Sequence, residues 1–286
     1  MDKKLLKEMF NTAAPPIIEF SLQEVSQIAQ KLTGKLSISG VQPKLSIKLD
    51  KKNNSLISVA EGGEYILKPQ GAVFVNIPEN EQCCMDIAAK FKIDVPPHCL
   101  LPLRDGSLAY IVKRFDRARG VRIHQEDFFQ ILESVDKYKG STEQIGLKLK
   151  EISTAPGYDT QLFFERVVFN FIIGNGDAHL KNYSIAYKGQ DNIRLTPAYD
   201  IVCSKLVILE EEESALSING KKNKLKREDF DKLAGYLNIP IKIRYEKFAK
   251  SLPLMETIIG NSKIKKSTQE QFINIIKERL LRMELT

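Results

Sequence analysis

The spacing of apolar and polar positions divides the chain into a strand-rich part followed by a helix-rich part. Residues 21–33 repeat apolar side chains at helical spacing, and Ser21 with Glu24 three positions later reads as a capping box opening an amphipathic helix. Alternation with a period of two marks Leu45–Leu49 and Glu64–Lys68 as strands, with polar turns at Lys51–Asn54 and Gly62-Gly63. Pro78 begins a helix that runs to near Lys92, and Pro96-Pro97 breaks it. A hairpin is predicted next, Cys99–Leu101 and Leu108–Val112 around Arg104-Asp105-Gly106.

Beyond Arg114-Phe115-Asp116 the pattern turns helical. Gln161–Ile173 is apolar on nearly every face, which is the mark of a buried helix. From Arg227 onward three amphipathic helices are expected, broken near Pro240 and Pro253. A strand-like run, Asn192–Thr196, sits within this part. The expected division is a lobe at 1–116 and a lobe at 117–286, with a hinge around Lys113–Arg117. No internal repeat is visible, and the only low-complexity stretch is Glu210–Glu213.

Composition narrows the class without naming a function. At 286 residues, 43% hydrophobic and 28% charged, the chain has the length for two domains and the balance of a globular protein. Cys83, Cys84, Cys99 and Cys203 lack Cys-x-x-Cys spacing and read as buried free thiols in a reducing compartment. The opening MDKKLLKEMF lacks the apolar region of a secretion signal, and no run nears the roughly 18 apolar residues of a membrane helix. A cytoplasmic location with no membrane partner is therefore expected. The net charge of +7 favours acidic partners, nucleotides among them. Lys221–Arg227 is the best nucleic-acid candidate, but no aromatic platform or helix-turn-helix pattern accompanies it, so it reads as a solvated loop.

The chemistry concentrates in Ile173–Asn182 and in Pro197-Ala198-Tyr199-Asp200. Asp177 and Asn182 stand five positions apart after the apolar helix, and Asp200 follows the short strand-like run. One carboxylate can accept a hydroxyl proton, while an amide oxygen and a second carboxylate hold Mg²⁺ on ATP phosphates; protein kinases use the same spacing. Such chemistry also needs a strand lysine gripped by a helix glutamate. Lys68 ends Tyr65-Ile66-Leu67-Lys68, and Glu81 or Glu79 on the Pro78 helix is its candidate partner. Taken alone, Lys68 and Glu81 would pass for solvated surface charges; the chain order Lys68, Asp177, Asn182, Asp200 favours the functional reading. Ser37–Lys44 is the candidate phosphate loop, although it carries one glycine and is not G-x-G-x-x-G. His179 reads as a packing or hydrogen-bonding neighbour of Asp177, and Lys181 as a cation for the transferring phosphate.

Together, Ser37–Lys44, Ile66–Pro69, Lys113–Arg117, Gly176–Asn182, Leu195–Asp200 and Leu216–Gly220 resemble the HipA-like serine/threonine kinase toxins. The motifs run in family order over about residues 35–220. The aspartate loop alone is less specific, since phosphoinositide-kinase-like enzymes share it. About thirty-five residues precede the serine loop, which resembles the short HipT branch of tripartite systems, and Ser37 with Ser39 fits that branch's pair of autophosphorylated serines.

The resemblance implies an α+β, bilobed protein-kinase-like fold with a small β-rich N-lobe and a larger α-helical C-lobe. It implies Asp177 as catalytic base and Asn182 and Asp200 as metal ligands. Nucleotide contacts would come from Ser39, Gly40, Val41, Gln42, Lys44, Lys68, Lys113, Arg114, Phe115, His179, Lys181, Asn182, Tyr199 and Asp200. ATP and Mg²⁺ are the implied cofactors. The implied activity is phosphorylation of a protein, an aminoacyl-tRNA synthetase in this family, with autophosphorylation on Ser37 and Ser39. The implied partners are a small subdomain-like antitoxin and a DNA-binding antitoxin, through which alone DNA is met. The alternative is a catalytically inactive kinase-fold subunit of a DNA-binding repressor complex.

Overall fold

The computed structural model describes residues 2–33, 43–71, 74–118, 120–189 and 191–286. The chain forms two compact units, one of Met1–Gln82 with Pro96–Val121 and one of Cys83–Val95 with Arg122–Thr286.

The first unit is built on an antiparallel sheet. Helices α1 (Lys3–Met9) and α2 (Leu22–Thr33) precede strands β1 (Leu45–Asp50), β2 (Ser55–Ser58) and β3 (Tyr65–Pro69). Helix α3 (Ile77–Lys90) follows, then β4 (His98–Pro102) and β5 (Leu108–Lys113). The five strands lie in the order β2-β1-β3-β5-β4. The capping box of α2 is present, with the Ser21 N–H donating to Glu24 Oε2 at 2.7 Å and the Glu24 N–H reaching Ser21 Oγ at 3.4 Å. Strand β2 is absent from the expected elements. Its four residues, Ser-Leu-Ile-Ser, are too few for alternation to stand out, and Lys51–Asn54 turns out to be the hairpin turn that brings it onto β1.

Alternation decides which residues of β3 face the core. Tyr65 and Leu67 join Leu45, Ile47, Leu101 and Ile111 in the buried cluster, so Lys68 falls on the opposite face. The register places Lys68 across from Tyr110.

The division between units runs through α3, with Ile77–Gln82 in the first and Cys83–Lys90 in the second. A short ribbon, β6 (Arg117–Ala118) and β7 (Val121–Arg122), leads to β8 (His124–Asp127), α4 (Phe128–Ile131), α5 (Thr142–Ile152) and α6 (Pro156–Ile172). Strands β9 (Ser184–Tyr187) and β10 (Ile193–Leu195) come next, and then α7 (Arg227–Tyr236), α8 (Leu252–Gly260) and α9 (Lys266–Arg282).

Helix α6 is buried as its sequence requires, with Phe163, Phe164, Val168, Phe169 and Ile172 fully enclosed. The helix-rich half also holds a three-stranded sheet, β10-β9-β8, of which only β10 was foreshadowed by a strand-like run. Polar His124–Asp127 lacks the alternation that would reveal a strand. Pro253 does not break a helix: it lies in the first turn of α8, where the missing N–H has no intrahelical acceptor to lose. All four cysteines are buried free thiols. Among the described residues no helix is long and apolar enough to cross a membrane.

Candidate active site

In the second unit the site is the loop that joins α6 to β9. The helix ends in Gly174 at φ +73°, a left-handed turn where a Cβ would press on Cys203 Sγ and Ile275 Cγ2 at 3.2 and 2.9 Å. Asn175 folds back on the helix, its N–H donating to the Asn170 carbonyl at 2.8 Å and its Nδ2 to Asn170 Oδ1 at 3.0 Å. At Gly176 a Cβ would stand 2.2 Å from the Glu212 carbonyl oxygen, so no side chain fits. These constraints fix the backbone immediately before Asp177.

The three expected residues of this unit come together on two neighbouring turns. The His179 N–H donates to the Asp177 carbonyl at 2.8 Å and to Asn182 Oδ1 at 2.9 Å, closing the loop into one 3₁₀ turn at Leu180–Asn182. Asn182 Nδ2 then reaches Asp200 Oδ2 at 3.4 Å. Asp200 sits at φ +58°, a left-handed conformation that aspartate tolerates better than most residues and that marks a constrained position. Tyr199 ties the two turns, its hydroxyl donating to the Lys181 carbonyl at 2.9 Å and lying 3.0 Å from Ser184 Oγ.

A carboxylate and an amide so placed offer oxygen donors suited to Mg²⁺, which takes few protein ligands and fills its octahedron from phosphate and water. Asn182 Oδ1 keeps a second lone pair after accepting from His179. Among the described residues no group of three His, Cys, Asp or Glu gathers that would hold a metal by itself. The two side chains are of the type a divalent cation with few protein ligands takes, with Asn182 turning its Oδ1 to His179 and its Nδ2 to Asp200.

His179 is 7% exposed, and Lys137 Nζ lies 2.9 Å from its Nε2. Burial holds its pKa below the ordinary imidazole value, the Lys137 charge adds to this, and Asp177 opposes it. Because an ammonium only donates, the ring accepts at Nε2 and carries its proton on Nδ1. Lys181 Nζ stands 4.4 Å from the centroid of the Phe129 ring.

Four residues that the sequence did not mark complete the surroundings of Asp177. Tyr138 donates its hydroxyl to Asp177 Oδ1 at 2.9 Å, and Lys137 holds His179. Ser204 Oγ accepts the Gly176 N–H at 2.8 Å and lies 2.5 Å from Glu211 Oε2. Glu211 has its pKa pushed up to about 7, by burial above all and by the Asp177 charge, while Ser204 and Lys205 pull the other way. No local motif announces these residues. They stand far from Asp177 in sequence or inside a run of identical glutamates. The basic run is quenched in part by acids, with Lys221 on Asp229 at 2.9 Å and Lys222 on Glu212 at 3.3 Å.

In the first unit Lys68 Nζ donates to Glu81 Oε1 at 2.6 Å, and both side chains are almost wholly buried. Glu81 of the Pro78 helix thus pairs with Lys68. Lys68 Nζ also lies 5.7 Å from the Tyr110 ring centroid. The backbone amides of Lys113 and Arg114 donate to the Pro97 and Glu64 carbonyls at 2.9 and 2.8 Å, and the Arg114 guanidinium forks onto Asp116. Lys44 is exposed. Ser37, Ser39, Gly40, Val41 and Gln42 lie outside the described residues.

A small antiparallel sheet with a buried lysine–glutamate pair, and a helical unit whose loops gather Asp, Asn and a later Asp, define a kinase-like class of fold. Solved structures place it there. A chain from the Shewanella oneidensis MR-1 toxin–antitoxin complex of HipA, HipB and operator DNA superposes with a TM-score of 0.72, covering 96% of this chain and 72% of that one at 19% identity. The proinflammatory kinase CtkA of Helicobacter pylori superposes with a TM-score of 0.55 at 14% identity, over 79% of this chain and 90% of that one.

Sequence relatives agree. The Sinorhizobium fredii protein named "Putative kinase Y4dM" is 37% identical over 227 residues, which is 73% of this chain and 54% of that protein. A Haemophilus influenzae protein named "Putative kinase" is 30% identical over 201 residues, which is 65% of this chain and 58% of its own length. The chain thus spans about half the length of the curated relatives it matches. The family profile for the HipA-like C-terminal domain matches residues 36–277, and the chain belongs to that family.

Proposed function

We propose that this chain is an ATP- and Mg²⁺-dependent serine/threonine protein kinase acting as the toxin of a toxin–antitoxin system. The observation that carries the reading is the gathering of Asp177, Asn182 and Asp200 on adjoining turns, with Asn182 and Asp200 within 3.4 Å. Asp177 accepts the proton of an acceptor hydroxyl as that oxygen forms its bond to the γ-phosphorus and the bond to ADP breaks. Asn182 and Asp200 hold Mg²⁺, which when bound neutralises the phosphate charge. Lys68, steadied by Glu81, supplies the first unit's cation for the phosphates. Ser39–Lys44 form the nucleotide loop and the Lys113–Phe115 backbone receives the adenine. His179, Lys181 and Tyr199 serve the nucleotide side of the second unit's loops.

The acceptor is a translation protein of the aminoacyl-tRNA synthetase class, and Ser37 and Ser39 are autophosphorylated. Phosphate on that loop adds roughly −1.5 to −2 charge and repels ATP phosphates from the same place, so modification lowers activity. The paired serines favour a HipT-type member, neutralised by a small antitoxin and a DNA-binding antitoxin in the cytoplasm. The fold's likeness to a HipA seen with HipB and operator DNA supports partners of this kind.

The test is incubation of wild type and Asp177→Asn with γ-labelled ATP, Mg²⁺ and a cell extract, followed by phosphosite mass spectrometry. Wild type labels itself on Ser37 or Ser39 and labels one extract protein, and the variant labels neither. ATP binding without any transfer would sink the reading.

A further inference from the structure

The loop between α4 and α5 is tied to the catalytic loop at three points, none of which is needed to close either loop on itself. The Leu180 N–H donates to the Lys137 carbonyl at 3.1 Å, Lys137 Nζ meets His179 Nε2 at 2.9 Å, and the Tyr138 hydroxyl donates to Asp177 Oδ1 at 2.9 Å. The loop itself is built rather than draped. Asp136 accepts the Tyr138 N–H at 2.9 Å through its side chain and the Lys139 N–H at 3.1 Å through its carbonyl. The Ser217 N–H donates to the Gly140 carbonyl at 3.2 Å, and Lys222 reaches the Tyr138 carbonyl at 3.3 Å. The rings reinforce the ties: Tyr138 packs edge-on to His179 with centroids 5.4 Å apart, and Lys137 Nζ lies 4.7 Å from the Tyr138 ring centroid.

We infer that Lys137 and Tyr138 are positioning residues for the phosphoryl-transfer base, acting as a clamp that sets the orientation of the Asp177 carboxylate and the course of the loop after it. The inference rests on the kinase reading of Asp177. A free aspartate carboxylate rotates broadly about its last torsion, which has no sharp staggered wells. A hydrogen bond from Tyr138 to Oδ1 selects one orientation and turns Oδ2 into the oxygen that meets the acceptor proton. The phenol is a fit donor for this, since burial, with the Asp177 bond, pushes its pKa up to about 12 and keeps it protonated. Lys137 works one step further along. By donating to His179 it fixes that ring, and through its carbonyl it pins Leu180, the first residue of the turn that presents Asn182. The hydroxyl of Tyr138 is thus a fixture of the site and not the group phosphorylated.

Tyr138→Phe, Lys137→Met and the double variant, made in the full chain, test the clamp through two readouts. In the transfer assay kcat falls about ten- to a hundredfold for Tyr138→Phe, as expected for a misplaced base, while KM for ATP stays within about twofold. Hydrogen–deuterium exchange, which does not depend on activity, quickens about tenfold or more at residues 177–183 in the double variant and is unchanged in the first unit. If wild type transfers no phosphate, the kinase reading fails while the exchange result still judges the clamp. Unchanged or raised kcat in Tyr138→Phe, unchanged exchange in the double variant, or phosphate found on Tyr138 would each overturn the inference. Loss of kcat accompanied by equal weakening of ATP binding would also overturn it, because that describes general disruption.

Discussion

Glu211 should make the stability of the second unit depend on pH in a way a single substitution removes. Its carboxylate packs on Gly176, where Oε2 lies 2.5 Å from the position a Cβ would take, and it lies 2.5 Å from Ser204 Oγ. Ser204 accepts the Gly176 N–H and has one proton to give, with the Gly174 carbonyl a second acceptor at 3.4 Å. Ser204 gives that proton to Glu211, and this bond, with the Gly176 N–H, favours the carboxylate. Burial above all, and the Asp177 charge, favour the neutral acid and outweigh it, lifting the pKa from its ordinary 4.5 to about 7.

That interval, at about 1.36 kcal/mol per pH unit, sets a ceiling of about 3 kcal/mol. Glu211 is not fully enclosed, and solvent screening brings the expected effect to about 1–2 kcal/mol. Because the folded pKa lies above the unfolded one, the stabilisation is complete below pH 4.5 and is lost as pH rises through 7. Glu211→Gln is neutral throughout and keeps it. Urea denaturation of both proteins at pH 5, 6, 7 and 8 without Mg²⁺ should therefore show little difference at pH 5 and a variant more stable by about 1–2 kcal/mol at pH 8. A difference that is flat across the range, within about 0.5 kcal/mol, refutes the reasoning. Asp177→Asn should shrink the wild type's pH dependence, since it removes one of the charges that raises the Glu211 pKa.

Three further outcomes follow from the geometry. Lys68→Met leaves the buried Glu81 charge without its ammonium and should cost about 3–5 kcal/mol by calorimetric stability, much of it recovered in Lys68→Met/Glu81→Met. Gly176→Ala drives a Cβ onto the Glu212 carbonyl and should lower stability by about 1–3 kcal/mol in denaturation while abolishing transfer. Thermal-shift stabilisation by ATP should be large with Mg²⁺ and small in EDTA, and Asp200→Asn should erase most of the difference; equal shifts with and without metal would remove Asp200 from the metal's coordination.

How much of this could be read from the chain depends on how local each feature is. Helices α2, α3 and α6 and strands β1, β3, β4 and β5 announce themselves because periodicity is a property of neighbours in sequence. The gathering of Asp177, Asn182 and Asp200 on neighbouring turns, and the pairing of Lys68 with Glu81, are legible for a related reason, since each residue sits in a short run whose types and spacing carry information. Strands β2, β8 and β9 escape because four residues, some of them polar, give alternation nothing to repeat over.

The surroundings of Asp177 escape for a deeper reason, and Glu210–Glu213 shows it best. In sequence these residues are identical and form one low-complexity stretch. In the fold Glu211 lies against Ser204 beside Gly176, Glu212 meets Lys222, and Glu213 takes Arg279 and Arg282 at 3.0 and 2.8 Å. Their pKa directions diverge accordingly. Glu211 is raised by burial, whereas Glu213 is lowered despite burial by the Leu225 N–H and the two arginines. A difference in environment among identical neighbours is written in residues such as Ser204, Asp177 and Arg279, which only the folded chain brings near. Tyr138 follows the same logic: an ordinary loop tyrosine acquires its meaning from the carboxylate it touches.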